Sequence, residues 1–460
     1  EKYLLEVNGR YDGTSRFMKD QRWNFFPSFS LGWNVARENF WKPLESVVNQ
    51  FKLRGSWGEL GNQNTSNLYP FYEILPVKSN SGNWLVNGGK TNTADIPSLV
   101  STLLTWERVR SFNVGFDFGA FSNRLTGSFD YFVRKTVDMV GPAPQLPLVL
   151  GIAPAIVNNA DMKSYGFEIE LSWRDRIGEV DYGVKFNLAD AQQKVVKYPN
   201  TTNAFNDWYA GKMSGEIWGY TSLGIAKTDE EMKEHLASLP NGGQNQLGNK
   251  WGAGDIMYAD INGDGKVDGG KGTLADPGDQ RIIGNSTPRY NFGLVLDASY
   301  KGFDVSIFFQ GVGKRDYAPI VGTNGAVFWG AVNNIWQSMA MEEHFDYFRP
   351  EGHPMGANLN GYYPRPDFTS NKNHQVQTRY LQDASYIRLK NLQIGYTLPK
   401  QWINKLHINR CRVYVSGDNL WTGTSLASMF DPETLAAGDW GSGKTYPLSK
   451  VISFGLNVNF

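Results

Sequence analysis

Alternation between apolar and polar residues is the dominant pattern along this chain. From residue 289 onward, one face carries Tyr290, Phe292, Leu294, Leu296, Ala298 and Tyr300, and the other carries Asn291, Gly293, Val295, Asp297 and Ser299. The same alternation appears from Tyr165 to Arg174 and in the final segment, Ile452 to Phe460. A period of two predicts β-strands with one apolar face and one wet face.

Counting such segments predicts about twelve strands, each near the length of about 9–11 residues that crosses a bilayer at a tilt. We place them near residues 2–12, 26–37, 50–60, 106–119, 122–137, 163–174, 180–191, 288–300, 302–313, 385–398, 409–420 and 450–460. Strands of this length in this number favour a transmembrane antiparallel β-barrel, an all-β fold.

The predicted connections fall into two classes that alternate along the chain. Compact links lie near Ala120–Phe121, Asp175–Glu179, Lys301 and Pro399–Ile408, and long loops occupy residues 61–105, 138–162, 192–287, 314–384 and 421–449. Short turns on one side and long loops on the other are typical of outer-membrane barrels. A soluble sandwich gives no reason for this alternation.

Two of the long loops are predicted to contain helices. Thr228, followed three residues later by Glu231, forms a capping box that opens a helix over Asp229–Leu239. Apolar residues at helical spacing predict a second helix over Ala331–Asp346.

Composition narrows the classes of protein. Aromatic residues make up 14% of the 460 residues, and Tyr and Trp favour membrane interfaces. The 45 basic and 45 acidic residues balance, which argues against nucleic acid as a partner. No apolar run approaches the roughly 20 residues of a membrane-spanning helix. No secretion signal opens the sequence, so we expect a fragment of a longer exported protein.

One motif carries recognisable chemistry. Residues 260–268 read D-x-N-x-D-G-x-x-D, a spacing that predicts a loop wrapped around Ca²⁺ with a structural role. The predicted ligands are Asp260, Asn262, Asp264, the backbone carbonyl of Lys266, Asp268 and Asp279. Lys271 occupies the twelfth position, where an EF-hand has a bidentate Glu, and Asp279 is displaced by a Gly-rich insertion. The alternative is an Asx-rich turn without metal.

Substrate contacts are predicted only for loop aromatics, and we expect no catalytic residues. The five His residues lack zinc spacing, and no nucleophile–base signature stands out. Aromatic rings can stack on the apolar faces of sugars. The candidates are Trp208, Tyr209, Trp251, Trp329 and Trp440. Packing within the loops or at a membrane interface is the commoner role of such residues.

Several segments of the chain are similar to motifs that recur in one protein family. The run from Tyr3 to Phe17 is similar to "YLL…RDGSSRF", residues 52–63 to "LKLR.SYG..GNQ", and residues 106–131 to "WE…NIGLDF…NRLTGSIDYY". Further similarities are Lys163–Glu168, Arg281–Asn285, Ser385–Asn391, Asp418–Leu420 and the terminal Phe460. They follow the family's order across essentially the whole chain, which therefore resembles the SusC/RagA family of TonB-dependent outer-membrane transporters.

The resemblance implies a 22-stranded barrel with an N-terminal plug, of which this chain would hold about the last twelve strands and lack the plug. It further implies TonB–ExbB–ExbD coupling through that plug, a SusD-like surface lipoprotein as lid, and contact with outer-membrane lipid of a Gram-negative bacterium. The expected function is import of oligosaccharides. Alternatives are import of peptides, a passive pore or adhesin, and a soluble calcium-stabilised carbohydrate-binding protein or glycosidase.

Overall fold

A computed structural model describes residues 1–65, 67–143, 147–152, 154–319, 326–330, 340–367, 370–404, 407–435 and 445–460. In chain order the strands are β1 Tyr3–Gly13, β2 Trp23–Asn34, β3 Val48–Asn62, β4 Val77–Lys78, β5 Leu85–Val86, β6 Gly89–Lys90, β7 Thr93–Ala94, β8 Glu107–Ala120, β9 Leu125–Val140, β10 Asn158–Ile177, β11 Val180–Lys197, β12 Glu216–Gly219, β13 Ser222–Ile225, β14 Ile256–Tyr258, β15 Arg281–Asn285, β16 Arg289–Tyr300, β17 Phe303–Lys314, β18 Asp316–Tyr317, β19 Gln382–Asp383, β20 Tyr386–Thr397, β21 Arg410–Thr424 and β22 Val451–Asn459.

The twelve long strands form one antiparallel sheet in chain order, β1-β2-β3-β8-β9-β10-β11-β16-β17-β20-β21-β22. This confirms the predicted all-β fold and the position of every predicted strand, with shifted ends. The largest differences are at β10, which begins five residues before the predicted start at 163, and at β11, which continues six residues past 191. The remaining short strands pair within the long loops.

The link between β16 and β17 shows how a compact connection forms. Lys301 and Gly302 both have positive φ, 47° and 90°, which is the backbone of a type I′ hairpin turn. The pairing Tyr300↔Phe303 closes the turn. A Cβ on Gly302 would lie 2.8 Å from the carbonyl oxygen of Thr397, so the turn requires glycine there.

One compact unit comprises Glu1–Asn123, Gly127–Glu168 and Ala191–Met213. On β2 the alternate residues Trp23, Phe25, Phe29 and Leu31 expose large apolar side chains, and the side chain of Leu31 is 58% exposed. The intervening positions of the same strand are mostly polar, among them Asn24, Ser28 and Ser30, and the exception Phe26 is buried against Trp106. An exposed apolar face of this extent is rare on proteins surrounded by water on all sides.

The other unit comprises Arg124–Thr126, Ile169–Asp190 and Ser214–Phe460. Its long loops pack together into what we call the loop body, the described residues of 214–287, 315–385 and 425–435. The loop body has its own buried core, which contains Tyr220, Leu239, Ile256, Tyr258, Val267, Val327, Phe328, Trp329, Tyr363, Tyr380, Ala384, Leu426, Phe430 and Leu435.

Among the residues that the structure describes, the α-helices are α1 Asp229–Ala237, α2 Ala326–Trp329 and α3 Lys400–Ile403. The predicted N-cap is confirmed, since the hydroxyl of Thr228 accepts the N–H of Glu231 at 3.1 Å. The reciprocal contact of the predicted capping box differs, because the carboxylate of Glu231 accepts the N–H of Lys227, at 2.6 Å, and not that of Thr228. Most of the predicted helix over Ala331–Asp346 lies outside the described residues, and its described end holds a 3₁₀ turn at Glu342–Phe345. No helix among the described residues is both long and apolar enough to span a membrane.

Candidate functional site

A buried charge network ties distant parts of the loop body together. Asp255 is completely buried, and its carboxylate accepts hydrogen bonds from Arg365 Nε and Nη2 at 2.8 and 2.6 Å. Lys372 Nζ donates to the same carboxylate at 2.9 Å, and Asn373 donates at 2.9 Å. Buried charges of this kind are stable only when they are paired and hydrogen-bonded. The network therefore fixes the segment around 365–373 against the segment around 248–255.

A second network attaches the segment 425–435 to β20. Arg388 is almost completely buried and donates to Asp431 and Glu433, each at 2.8 Å. Its Nε donates to the hydroxyl of Thr422 at 2.9 Å. Lys390, two residues along the same face of β20, also pairs with Glu433, at 2.7 Å. Together these contacts hold the last part of the loop body against the sheet.

His374 is buried in the loop body without a charged partner. Its ring lies against Trp329, with 4.5 Å between ring centroids. Neither ring nitrogen has a hydrogen-bond partner among the described residues. Burial disfavours the imidazolium and lowers the pKa of His374 from 6.5 to about 4, with a small opposing effect of Asp367.

This burial predicts a loss of loop-body stability in acid. We call the packed loop body closed and the locally unfolded loop body open. Above pH 6.5 the imidazole of His374 is neutral in both states. Below that value the open state binds a proton that the closed state does not, so the free energy of opening falls until about pH 4. The expected loss is about 3 kcal/mol over this range. Hydrogen exchange of residues 370–384 at several pH values, corrected for intrinsic rates, measures it.

The His374→Phe variant is the control, because phenylalanine keeps a ring in contact with Trp329 and cannot titrate. The difference between wild type and this variant should appear between pH 6.5 and 4. Equal pH dependence in the two proteins would assign the loss to other groups.

The structure places the five aromatic candidates in different surroundings. Trp208 and Tyr209 lie half-buried in the loop that follows β11, against Tyr198 and Lys212. Trp251 is half-buried in the loop body, where Lys372 Nζ lies 5.0 Å from its ring centroid. Trp329 is fully buried in the loop-body core, so its ring packs on protein side chains. Trp440 lies outside the described residues.

The predicted calcium loop is closed by its own backbone N–H groups. The carboxylate of Asp260 accepts the N–H of Gly263 at 2.6 Å and of Gly265 at 2.8 Å. Asn262 accepts from Asp264 at 3.0 Å. Asp279 is completely buried and accepts from Ile261 at 2.7 Å and from Asp268 at 2.8 Å. The displaced Asp279 thus joins the two ends of this loop.

The Lys266 side chain supplies the positive charge within this loop. Its Nζ pairs with the carboxylate of Asp268 and lies 3.8 Å from Asp264 Oδ2. Among the described residues, no three His, Cys, Asp or Glu side chains are grouped so that they could hold a metal ion. Carboxylate and amide oxygens such as these are the ligands that Ca²⁺ prefers. In this structure they accept hydrogen bonds from backbone N–H groups, and the carboxylate of Asp268 pairs with the Lys266 ammonium group.

Sequence reasoning did not find the Asp255 network. Asp255 and Arg365 are 110 residues apart, and Asp255 and Lys372 are 117 apart. No local pattern in the sequence marks a pair of that separation.

Comparison with known proteins finds one matching family model and relatives of similar sequence. A family model described as TonB dependent receptor-like, beta-barrel, matches residues 1–420. TonB-dependent receptor P3 of Formosa agariphila is 29% identical over 489 residues, covering all of this chain and 44% of the relative. TonB-dependent receptor SusC of Bacteroides thetaiotaomicron is 23% identical, covering all of this chain and 42% of the relative.

Solved structures agree on the fold. A structure of the RagAB peptide transporter matches with a TM-score of 0.75 at 21% identity, covering all of this chain and 46% of that one. The RagAB peptide importer in an "open-open" state matches with a TM-score of 0.73 at 22% identity, covering all of this chain and 45% of that one. The chain thus spans less than half the length of the curated relatives that it matches. The resemblance to SusC and RagA that the sequence indicates is confirmed.

Proposed function

We propose, from the premise that this chain belongs to the TonB-dependent receptor-like β-barrel family, that it forms part of an outer-membrane importer of oligosaccharides. Membership of this family implies the bacterial outer membrane. The observation that carries the proposal is the two-sided sheet, with large exposed apolar residues on one face of β2 and mostly polar residues on the other. An apolar outer face and a polar interior are what a transmembrane barrel requires.

The loop body supports a role in substrate capture. Its buried core and its two charge networks make it a rigid surface rather than a set of independent loops. Binding surfaces are commonly built on loops that a stable scaffold positions. We propose that a SusD-like lipoprotein covers the substrate on these loops, and that TonB–ExbB–ExbD supplies energy through a plug belonging to the full-length protein.

Growth experiments test the proposed cargo. The gene is deleted in its host, and growth is compared on single oligosaccharides and on peptides, with and without a complementing copy. We expect a defect on an oligosaccharide and normal growth on peptides. Peptide import is the second candidate, because the RagAB proteins that share this fold are a peptide transporter and importer. A growth defect on peptides alone would support peptide import.

The assignment of the apolar face to lipid gives a direct prediction. Leu31→Arg places a charge on the apolar face of β2 and should destabilise the folded barrel by about 2–4 kcal/mol. Ser30→Arg is the matched control, since Ser30 is adjacent in sequence and lies on the polar face. Unfolding of the full-length protein in lipid vesicles measures both. Equal effects of the two substitutions would contradict a lipid-facing Leu31.

We further propose that the loop at residues 260–279 binds Ca²⁺ through Asp260, Asn262, Asp264, Asp268 and the carbonyl of Lys266, with Asp279 supporting the loop. The bound ion would take over the positive charge that Lys266 now supplies. Its role would be to stabilise the long loop between β11 and β16.

Hydrogen exchange of residues 256–285 with and without Ca²⁺ tests this site. We expect stronger protection with Ca²⁺ in the wild type and no such effect in Asp264→Asn. Asp276→Asn, in the same loop but outside the predicted ligands, should behave as wild type. Protection that is independent of Ca²⁺ in all three proteins would favour the metal-free turn.

A further inference from the structure

A polar cavity of about 460 Å³ opens in the loop body. Two segments line it, residues 248–250 on one side and Arg365, Asp367, Ser370 and Lys372 on the other. Its volume falls in the range of about 300–1,000 Å³ that is usual for small-molecule sites. None of the candidates predicted from the sequence lines this cavity.

Positive charge predominates around the cavity. Lys250, Arg365 and Lys372 line it, whereas Asp367 is the acidic residue among the lining residues. Asp255 lies behind the lining and is shared by Arg365 and Lys372. Three cations thus face two carboxylates, which leaves an excess of one positive charge.

Part of this positive charge is available to a ligand. Arg365 uses its Nε and Nη2 on Asp255, and Nη2 also donates to the carbonyl of Lys250 at 2.9 Å. Its other terminal nitrogen, Nη1, has no hydrogen-bond partner among the described residues. Lys250 has an exposed side chain that forms no ion pair within the described chain.

The cavity is held in place before any ligand arrives. Lys372 is 1% exposed, and its Nζ donates to the carbonyls of Asn249 and Lys250 at 3.2 and 3.0 Å as well as to Asp255. Both walls are therefore tied to one buried carboxylate. A guanidinium fixed in this way loses little conformational entropy when it binds an anion.

We propose that this cavity binds the anionic group of an acidic oligosaccharide, either the carboxylate of a uronic acid or a sulfate ester. Arg365 Nη1 and Lys250 would contact the anion. Asn249, Ser370 and Asp367 together offer both donors and acceptors, which suits a ring carrying hydroxyl groups. Among the described lining residues, Pro366 has the only apolar side chain. This inference rests on the proposed import of oligosaccharides and specifies the chemical class of the cargo.

Crystals of the full-length transporter soaked in selenate test the anion site, since selenium is located by its anomalous scattering. We expect selenate within hydrogen-bond distance of Arg365 Nη1. Lys250→Gln should weaken binding roughly tenfold, the loss of one charge-assisted contact. Lys233→Gln removes the same charge from an exposed position on α1 and should bind as wild type. An empty cavity in the wild type would overturn the proposal.

The ligand retained by the transporter purified from its host tests the class of cargo. Mass spectrometry should find a uronate- or sulfate-bearing oligosaccharide in the wild type and Lys233→Gln, and about tenfold less in Lys250→Gln. A neutral glycan or a peptide in its place would overturn this inference and leave import standing. Bound selenate together with normal growth of the deletion strain on every oligosaccharide would instead overturn the proposed function.

Discussion

Replacing Asp255 by asparagine is expected to lower the free energy of opening the loop body by about 3–5 kcal/mol. The carboxylate is completely buried and forms ion pairs with both Arg365 and Lys372, and Lys372 is itself buried. Without that carboxylate, two cations remain close together in a medium of low polarity. Hydrogen exchange of residues 248–258 and 365–375 in the full-length protein reports the change.

Two further variants show that the effect belongs to the network. Glu230→Gln removes an exposed carboxylate at the start of α1 and should change the opening free energy by less than about 0.5 kcal/mol. The double variant Asp255→Asn, Lys372→Met should lose clearly less than the sum of the single losses, because it removes one of the unpaired cations. Additive losses would mean that Asp255 and Lys372 act independently.

Replacing Arg388 by methionine should detach the segment 425–435 from β20, at a cost of about 3–5 kcal/mol. Arg388 is 4% exposed and contacts Asp431, which is also buried, together with Glu433 and Thr422. Methionine fills part of the space and leaves Asp431 without its cation. The expected result is faster hydrogen exchange in residues 425–435 while β20 and β21 keep their protection.

Lys390→Met is the matched control for Arg388, because Lys390 lies two residues away on the same strand. Its ion pair with Glu433 is about one quarter exposed on both sides, and such pairs contribute at most about 1 kcal/mol. If Lys390→Met lowered the stability of the segment 425–435 as much as Arg388→Met, the positive charge of this strand would hold the segment, and not the buried contacts of Arg388.

The sheet could be predicted from the sequence because the residues that determine each strand and each tight turn are close together along the chain. Each strand carries its own alternation, and the turn at Lys301–Gly302 is set by two residues. The helix α1 was predictable for the same reason, since Thr228 and Glu231 are three residues apart. The ends of β10 and β11 were missed because polar residues continue the pairing beyond the alternating part.

The loop body could not be predicted, because residues far apart in sequence build it. Trp329 illustrates the difficulty: an aromatic residue in a long loop suggests an exposed ligand contact, yet neighbours such as Tyr363 and Tyr380 bury it. The calcium loop shows a related limit. Its spacing identifies the oxygen donors, but only the structure reveals that Lys266 pairs with Asp268.

The central claim, that this chain belongs to a lidded importer, is tested most directly by purifying the tagged full-length protein from detergent-solubilised outer membranes. Quantitative mass spectrometry would then count the proteins that accompany it. The account predicts a SusD-like lipoprotein at one copy per barrel, retained through the purification. A barrel that is consistently recovered alone would contradict the lidded importer and favour a passive pore or a transporter without a lid.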